Sequence, residues 1–374
     1  MIAPRLEIDL EKIRHNARIL VKRLAVQGIS VTAVTKATLG SPEIAHALLQ
    51  AGVKTLGDAR IENIIKMRHG GVSVPMALIR SPMLSQVARV VKYAELSFNT
   101  ELDVIRMLSA AAQKAKRIHG IVLMIELGDL REGILPNSLA HIVREILRLP
   151  NIAIKGIGTN LACRSGVVPD AANMAVLSAL ANSIESTFGF PLEIVSGGNS
   201  ANLNWALSGA DTGRINNLRL GESILLGCDP LHRQPINGLH TDAITLVAEV
   251  IESKVKPSQP WGTIAQNAFG CPAAPKTGGH IHQSILAIGR QDIDPSGLEP
   301  PQGIDILEAS SDHLVVKSCR FTHPVGTEIT FQLNYSALLR AMTSPFVCKV
   351  WKNRISPANP SFPLPKKPRF IPSY

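Results

Sequence analysis

The sequence predicts an α/β fold: a (β/α)8 TIM barrel followed by a C-terminal β-rich domain. Three observations point there. Eight short apolar runs alternate with segments of helical periodicity over the first 225 residues, the pattern changes to strands with Gly/Pro-rich turns from about residue 230, and 374 residues suit a large barrel with an addition. The domains divide as 1–228 for the barrel, 229–348 for the β domain and 349–374 for a basic, proline-rich tail.

The eight runs cover 31–36, 55–58, 76–80, 96–99, 121–126, 154–161, 193–197 and 218–222. Between them lie helix candidates such as "SPEIAHALLQAG", where Ser41 caps, Pro42 suits the first turn and Gly52 ends the helix. "NTELDVIRMLSAAAQKA" and "PDAANMAVLSALANSIESTF" carry apolar residues at helical spacing. Alternation of this kind implies parallel strands joined by right-handed crossovers. Further on, "DAITLVAEVIESKVKP", "SILAIGRQD", "HLVVKS" and "TEITFQL" are strand-like. The last stretch, "WKNRISPANPSFPLPKKPRFIPSY", is expected to be extended or disordered.

At 45% hydrophobic and 18% charged, the composition is that of an ordinary globular protein. No run approaches the roughly eighteen apolar residues of a spanning helix. The opening "MIAPRLEIDLEKIRHN" carries acids where a targeting signal has none, so a cytoplasmic protein with no membrane partner is expected. The cysteines Cys163, Cys228, Cys271, Cys319 and Cys348 are widely spaced without a C-x-x-C pair, which predicts reduced thiols rather than disulfides or a metal site. Of the net charge of +10, seven basic residues after Glu328 supply the larger part, with no acid among them. The first 328 residues stand at only +3, and no nucleic-acid partner is expected.

In parallel barrels chemistry belongs at the carboxyl ends of the strands. The runs deliver there Lys36, Asp58 with Arg60, Arg80, Asn99, Glu126 followed by Arg131, Asn160, the "SGGNS" that includes Ser196, Asn199 and Ser200, and Arg219 with Gly221 and Glu222. Any one of them could be a satisfied surface residue, and Lys36 alone reads more often as a snorkelling lysine than as a catalyst, because its stem is amphipathic. "SGGNS" and "LGES" each offer small residues and backbone N–H groups at a helix start, an arrangement that binds phosphate. An ordinary Gly-rich turn explains either segment alone as well. Together they place a phosphate site on the seventh and eighth strands, beside the first once the barrel closes. Lysine forms Schiff bases when desolvation or nearby cations lower its pKa, so Lys36 is expected to anchor pyridoxal 5'-phosphate.

In the segments "AVTKA", "GDARIENI", "SFNTELD", "LGDLREG", "KGIGTNLAC", "VSGGNS", "NLRLGES", "AIGRQD" and "SSDHLVV", the chain resembles the fold-type III pyridoxal-phosphate enzymes that include alanine racemase, and within them the ornithine racemase type. The resemblance covers roughly residues 5 to 348. It implies an amino-acid racemase, working on a basic amino acid such as ornithine or lysine as a homodimer whose partner's β domain completes the site. By the same resemblance Lys36 holds the cofactor, Arg131 contacts its phenolic oxygen, and Asn160 replaces a histidine near the ring. Ser200, the backbone around Gly221 and Glu222, and Tyr335 serve its phosphate, and Arg219 donates to its pyridine nitrogen.

The chain also departs from that family. A tyrosine from the partner is the family's second base, yet the three tyrosines here are Tyr93, Tyr335 and Tyr374, and Phe269 stands near the expected position. The "GYADGY" gate becomes "GRQDID", with Arg290 and Asp292, and Met124 replaces an often carbamylated lysine. For the second proton carrier, Asp312 and His313 of "SSDH" are favoured over Cys163 and Cys271, since free cysteine commonly behaves as a small buried hydrophobe. Asp312, Asp292, Glu132 and Asp129 offer carboxylates for a substrate ammonium. Two rival readings remain. One is a lyase or dehydratase of a β-hydroxy amino acid, for which His280 and His282 are the nearest metal-ligand pair; the other is a non-catalytic cofactor carrier, whose motif "GDAR" echoes.

Overall fold

The computed structural model describes residues 2–270, 278–318 and 323–353. Strand β1 (Arg5–Asp9) and the helix Leu10–Val26 come first. Eight strands follow: β2 (Ser30–Val34), β3 (Thr55–Asp58), β4 (Met76–Leu78), β5 (Leu96–Asn99), β6 (His119–Met124), β7 (Ile152–Gly158), β8 (Ile194–Ser196) and β9 (Asn217–Leu220). They close into a parallel barrel in chain order, β9 returning to pair with β2 so that Arg219 lies opposite Thr32. All eight expected runs are barrel strands.

Parallel strands covered on both faces bury nearly every side chain. β6 is buried along its whole length. Ala77, Phe98, Val122 and Met124 form a small core of their own, distinct from the larger core that unites strands and helices. Local signals set the helices. Ser41 Oγ accepts from Ile44 N at 3.3 Å at the start of the helix Pro42–Gln50. Asp170 and Asn173 form a reciprocal capping box before Ala171–Phe188, which ends on Gly189. The helix Leu102–Lys114 buries Ile105, Leu108, Ser109 and Ala112, one stripe at helical spacing.

Beyond the barrel run β10 (Ile244–Pro257), β11 (His280–Leu286), β12 (Leu298–Glu299), β13 (Ile304–Ala309), β14 (Leu314–Ser318), β15 (Glu328–Leu333) and β16 (Cys348–Lys352). β10 is the backbone of this sheet, antiparallel to β1, β11 and β15. β1 also pairs in parallel with β16, Ile8 opposite Trp351. Sheet membership therefore departs from the expected divisions at both ends: residues 5–9 join the second sheet, and 349–352 are strand rather than tail. These pairings join segments more than 200 residues apart, which no local pattern discloses. The rest of the expected tail, 354–374, lies outside the described residues.

The second domain also shapes the barrel mouth. The helix Tyr335–Thr343, capped by Asn334 Oδ1 accepting from Ala337 N at 3.0 Å, packs on the 3-10 turn Lys36–Thr38. Among the described residues no helix is long and apolar enough to cross a membrane. Ile8 is fully buried between β10 and β16. Ile8→Ala is therefore expected to lower the unfolding free energy in urea by about 2–5 kcal/mol. An unchanged urea midpoint would show that β1 is not an integral strand.

Candidate active site

At the end of β2 the chain turns through Thr35 into the 3-10 turn that begins with Lys36. Thr35 Oγ1 donates to Asp58 Oδ2 at 2.7 Å, while Asp58 Oδ1 accepts from Arg60 N and Asn63 Nδ2, each at 2.9 Å. This buried carboxylate ties the ends of β2 and β3 together and fixes where Lys36 leaves the barrel wall. Lys36 then projects into a cavity of about 440 Å³. Its Nζ has no hydrogen-bond or ion-pair partner among the described residues and lies 6.0 Å from the Tyr335 ring centroid. The side chain is accessible to water because it projects into this cavity, yet the protein around it lowers its pKa, mainly by desolvation, with the charges of Arg131 and Arg219 adding to the effect.

Arg219 of β9 forms the floor, only 5% exposed. Its Nη1 donates to Ser196 Oγ at 2.5 Å, and its Nη2 to Thr159 O at 2.7 Å and Asn160 Oδ1 at 3.2 Å. Its guanidinium lies 5.1 Å from the Phe98 ring centroid and makes no ion pair among the described residues. Burial pulls its pKa down to about 10, which still leaves it protonated at neutral pH.

The "SGGNS" turn follows β8. Gly198 has φ 147°, and a Cβ there would lie 2.1 Å from Asn202 Oδ1, so only glycine fits. The turn delivers Ser200, whose Oγ lies 3.0 Å from Ser223 Oγ and accepts from Gly221 N and Ser223 N at 3.4 and 3.3 Å. Two hydroxyls and two backbone N–H groups thus converge at one wall.

Opposite, Glu126 Oε1 accepts from Gly128 N and Leu130 N, shaping the loop that carries Arg131. Asp129, 1% exposed, accepts from the N–H groups of Cys163, Arg164 and Ser165, which pins the loop after β7 to the loop after β6. Arg131 and Glu132 pair with each other, Nη2 to Oε1 at 2.6 Å, and both line the cavity. Cys163 Sγ accepts from Asn160 Nδ2 at 2.9 Å and from Asn199 Nδ2 at 3.5 Å.

Of the residues expected to hold a cofactor, Lys36, Arg131, Asn160, Asn199, Ser200, Arg219, Gly221, Glu222 and Tyr335 line this one cavity, and Met124 lies among them. Ser196 does not reach it; it sits beneath and holds Arg219. Asp312 and His313 line a different cleft, of about 350 Å³, with Pro4, Ile251, Asp292 and Phe346. Within one chain they do not share a cavity with Lys36. Asp292 is buried and accepts from Ser344 Oγ at 2.6 Å, and Asp129 is saturated by backbone. Of the four acids weighed for a substrate ammonium, Glu132 alone lines the Lys36 cavity. Phe269 stacks against the Arg290 guanidinium at 4.6 Å, and Cys271 lies outside the described residues. His280 and His282 point to one side of β11. Ser223, the last residue of "LGES", is fully buried and holds Ser200 rather than lining the cavity.

A lysine with a lowered pKa has more neutral amine at pH 8 than an ordinary lysine of pKa about 10.4. Trace acetylation read by peptide mass spectrometry is expected to favour Lys36 over exposed lysines at pH 8, and the preference should fade as the pH passes about 10.5. Equal labelling at pH 8 would show that the amine is not desolvated.

The family model for the alanine racemase N-terminal domain matches residues 8–229. A lysine racemase from Thermotoga maritima is 39% identical over 95% of this chain and 100% of its own. An ornithine racemase from Acetoanaerobium sticklandii is 39% identical over 92% and 99%. Among solved structures, the alanine racemase from Bartonella henselae with covalently bound pyridoxal phosphate superposes with a TM-score of 0.72 at 18% identity, covering 94% of this chain and 100% of that one. The chain belongs to the alanine racemase family of amino-acid racemases.

Proposed function

We propose that the chain is a pyridoxal-phosphate-dependent racemase of basic amino acids, with ornithine or lysine as substrate. The observation that supports it best is the Lys36 amine sharing a cavity with the buried Arg219 guanidinium, neither of them with an ion-pair partner among the described residues. A neutral acceptor such as a pyridine nitrogen suits Arg219, whereas a carboxylate would already have been expected beside a structural arginine. Ser200 and the N–H of Gly221 offer donors for a phosphate, the buried Ser223 hydroxyl holding Ser200, and Tyr335 lines the same cavity. The covalently held cofactor of the Bartonella relative fits the same assignment.

Pyridoxal phosphate, when bound, supplies delocalisation of the electron pair left at Cα as its proton departs. The chain's own residues do the rest. Lys36, its pKa lowered mainly by desolvation, accepts or returns that proton on one face. Arg219 keeps its own proton and so offers a fixed hydrogen-bond donor. Arg80, which lines the cavity and has no ion pair among the described residues, supplies positive charge for the substrate carboxylate. Glu132, which pairs with Arg131 at the cavity wall, supplies negative charge for a side-chain ammonium. The names of the two 39% relatives support the basic substrate.

Two measurements test this reading. Lys36→Ala is expected to abolish the visible absorbance that pyridoxal phosphate acquires on the wild type. In heavy water, L- and D-ornithine and lysine should exchange their α-hydrogen at least about a hundredfold faster than alanine. A normal band in the variant, or alanine exchanging as fast, would reject the anchor or the substrate class respectively. A homodimer is the proposed working form, supported by the exposed apolar rim of Ile251 and Phe346 around the Asp312 cleft. Sedimentation should give twice the chain mass, and Phe346→Asp should shift it toward the monomer.

A further inference from the structure

Racemisation requires a proton carrier on each face of Cα, one to take the proton and one to return it. Lys36 serves one face, on the reading given above. The other face needs a titratable group on the far side of the cavity. Among the described residues that line it, the candidates fall away in turn. Arg80, Arg131 and Arg219 do not release protons. Glu132 is held by Arg131, and Glu222 by Arg233 with Nη1 to Oε1 at 2.5 Å. Tyr335 stands on the Lys36 side, and burial pushes its hydroxyl pKa up. Asp312 and His313 belong to another cleft of the chain.

Cys163 remains. It is exposed to the cavity, makes no ion pair, and sits on the loop after β7, whereas Lys36 follows β2. Round the barrel the strands between them are β8 and β9, which bring Asn199, Ser200 and Arg219. Three of the groups assigned to the cofactor therefore come from strand ends lying between those of the amine and the thiol. The side-chain amides of Asn160 and Asn199 both donate to the sulfur, which orients it, and Asp129 fixes the Cys163 backbone. We propose that the Cys163 thiol is the second catalytic proton carrier, acting on the face of Cα opposite Lys36.

In one direction the Lys36 amine takes the Cα proton as that C–H bond breaks. The Cys163 S–H bond breaks as its proton forms the new C–H bond on the opposite face. Ammonium and thiolate remain, and one proton passing through cavity water restores amine and thiol. In the other direction thiolate takes and ammonium gives, so no further reactant is needed.

The test compares Cys163→Ala and Cys163→Ser with wild type, all loaded with pyridoxal phosphate. Both variants should keep the visible band, lose racemisation of ornithine by about a hundredfold to ten-thousandfold, and exchange the α-hydrogen of only one enantiomer in heavy water. Exchange from both enantiomers at wild-type rates would overturn the proposal and turn attention to Asp312 or His313 of a second copy. Equal loss from both with the band intact would reduce Cys163 to a positioning residue. Loss of the band in both variants would make it structural. Independently of turnover, L-ornithine should slow iodoacetamide alkylation of Cys163 in the wild type at least tenfold by peptide mass spectrometry, and unchanged alkylation would also overturn the assignment. A wild type with no band and no exchange from any amino acid would instead refute the racemase reading itself.

Discussion

Arg219 lies at the floor of the barrel mouth with three neutral oxygen acceptors and the face of Phe98 around it, and makes no ion pair among the described residues. A charge buried in this way costs several kcal/mol unless hydrogen bonds replace its hydration. The replacements come from the ends of β7 and β8: Ser196 beneath, then Thr159 and Asn160 beside it. Holding that one cation in place therefore organises three strand ends. Asn160, once oriented by the guanidinium, turns its amide N–H groups toward Cys163. The positive field of Arg219 also reaches Lys36 and adds to the lowering of its pKa, which desolvation dominates.

Stability and reactivity are set by different parts of the chain. The barrel supplies the strand ends, but the mouth is narrowed by the second domain, whose helix Tyr335–Thr343 rests on the Lys36 turn. That packing places an aromatic ring near the amine and desolvates it further. β1 connects the two units, since it enters the second sheet immediately before the first barrel helix. The amine is thus tuned by residues 300 positions away.

Acidic residues illustrate how far chemistry depends on surroundings. Asp58, Asp129 and Asp292 are all buried, and each is spent on holding loops: Asp58 between β2 and β3, Asp129 between the loops after β6 and β7, Asp292 against Ser344. Glu132 alone of the acids weighed for a substrate ammonium faces the Lys36 cavity. By sequence these carboxylates were interchangeable, because nothing local reveals which of them meets backbone N–H groups. The same holds for the proton carriers. Cys163 looked like a buried filler and Asp312 with His313 like catalytic groups, yet the cavity receives the cysteine.

The sequence by itself determined the barrel. Each strand is short, apolar and locally bounded, and the polar residue that ends it falls at the strand's carboxyl end by chain direction alone, which is why Lys36, Asn160, Ser200 and Arg219 were legible. Only the tertiary structure decided the rest. The pairing of β1 with β10 and β16, the place of Ser196 beneath Arg219 rather than in the cavity, and the sharing of one cavity by Cys163 and Lys36 all depend on contacts between distant segments. Local propensity and spacing encode an element and its ends; the distance between two ends appears only once the barrel has closed.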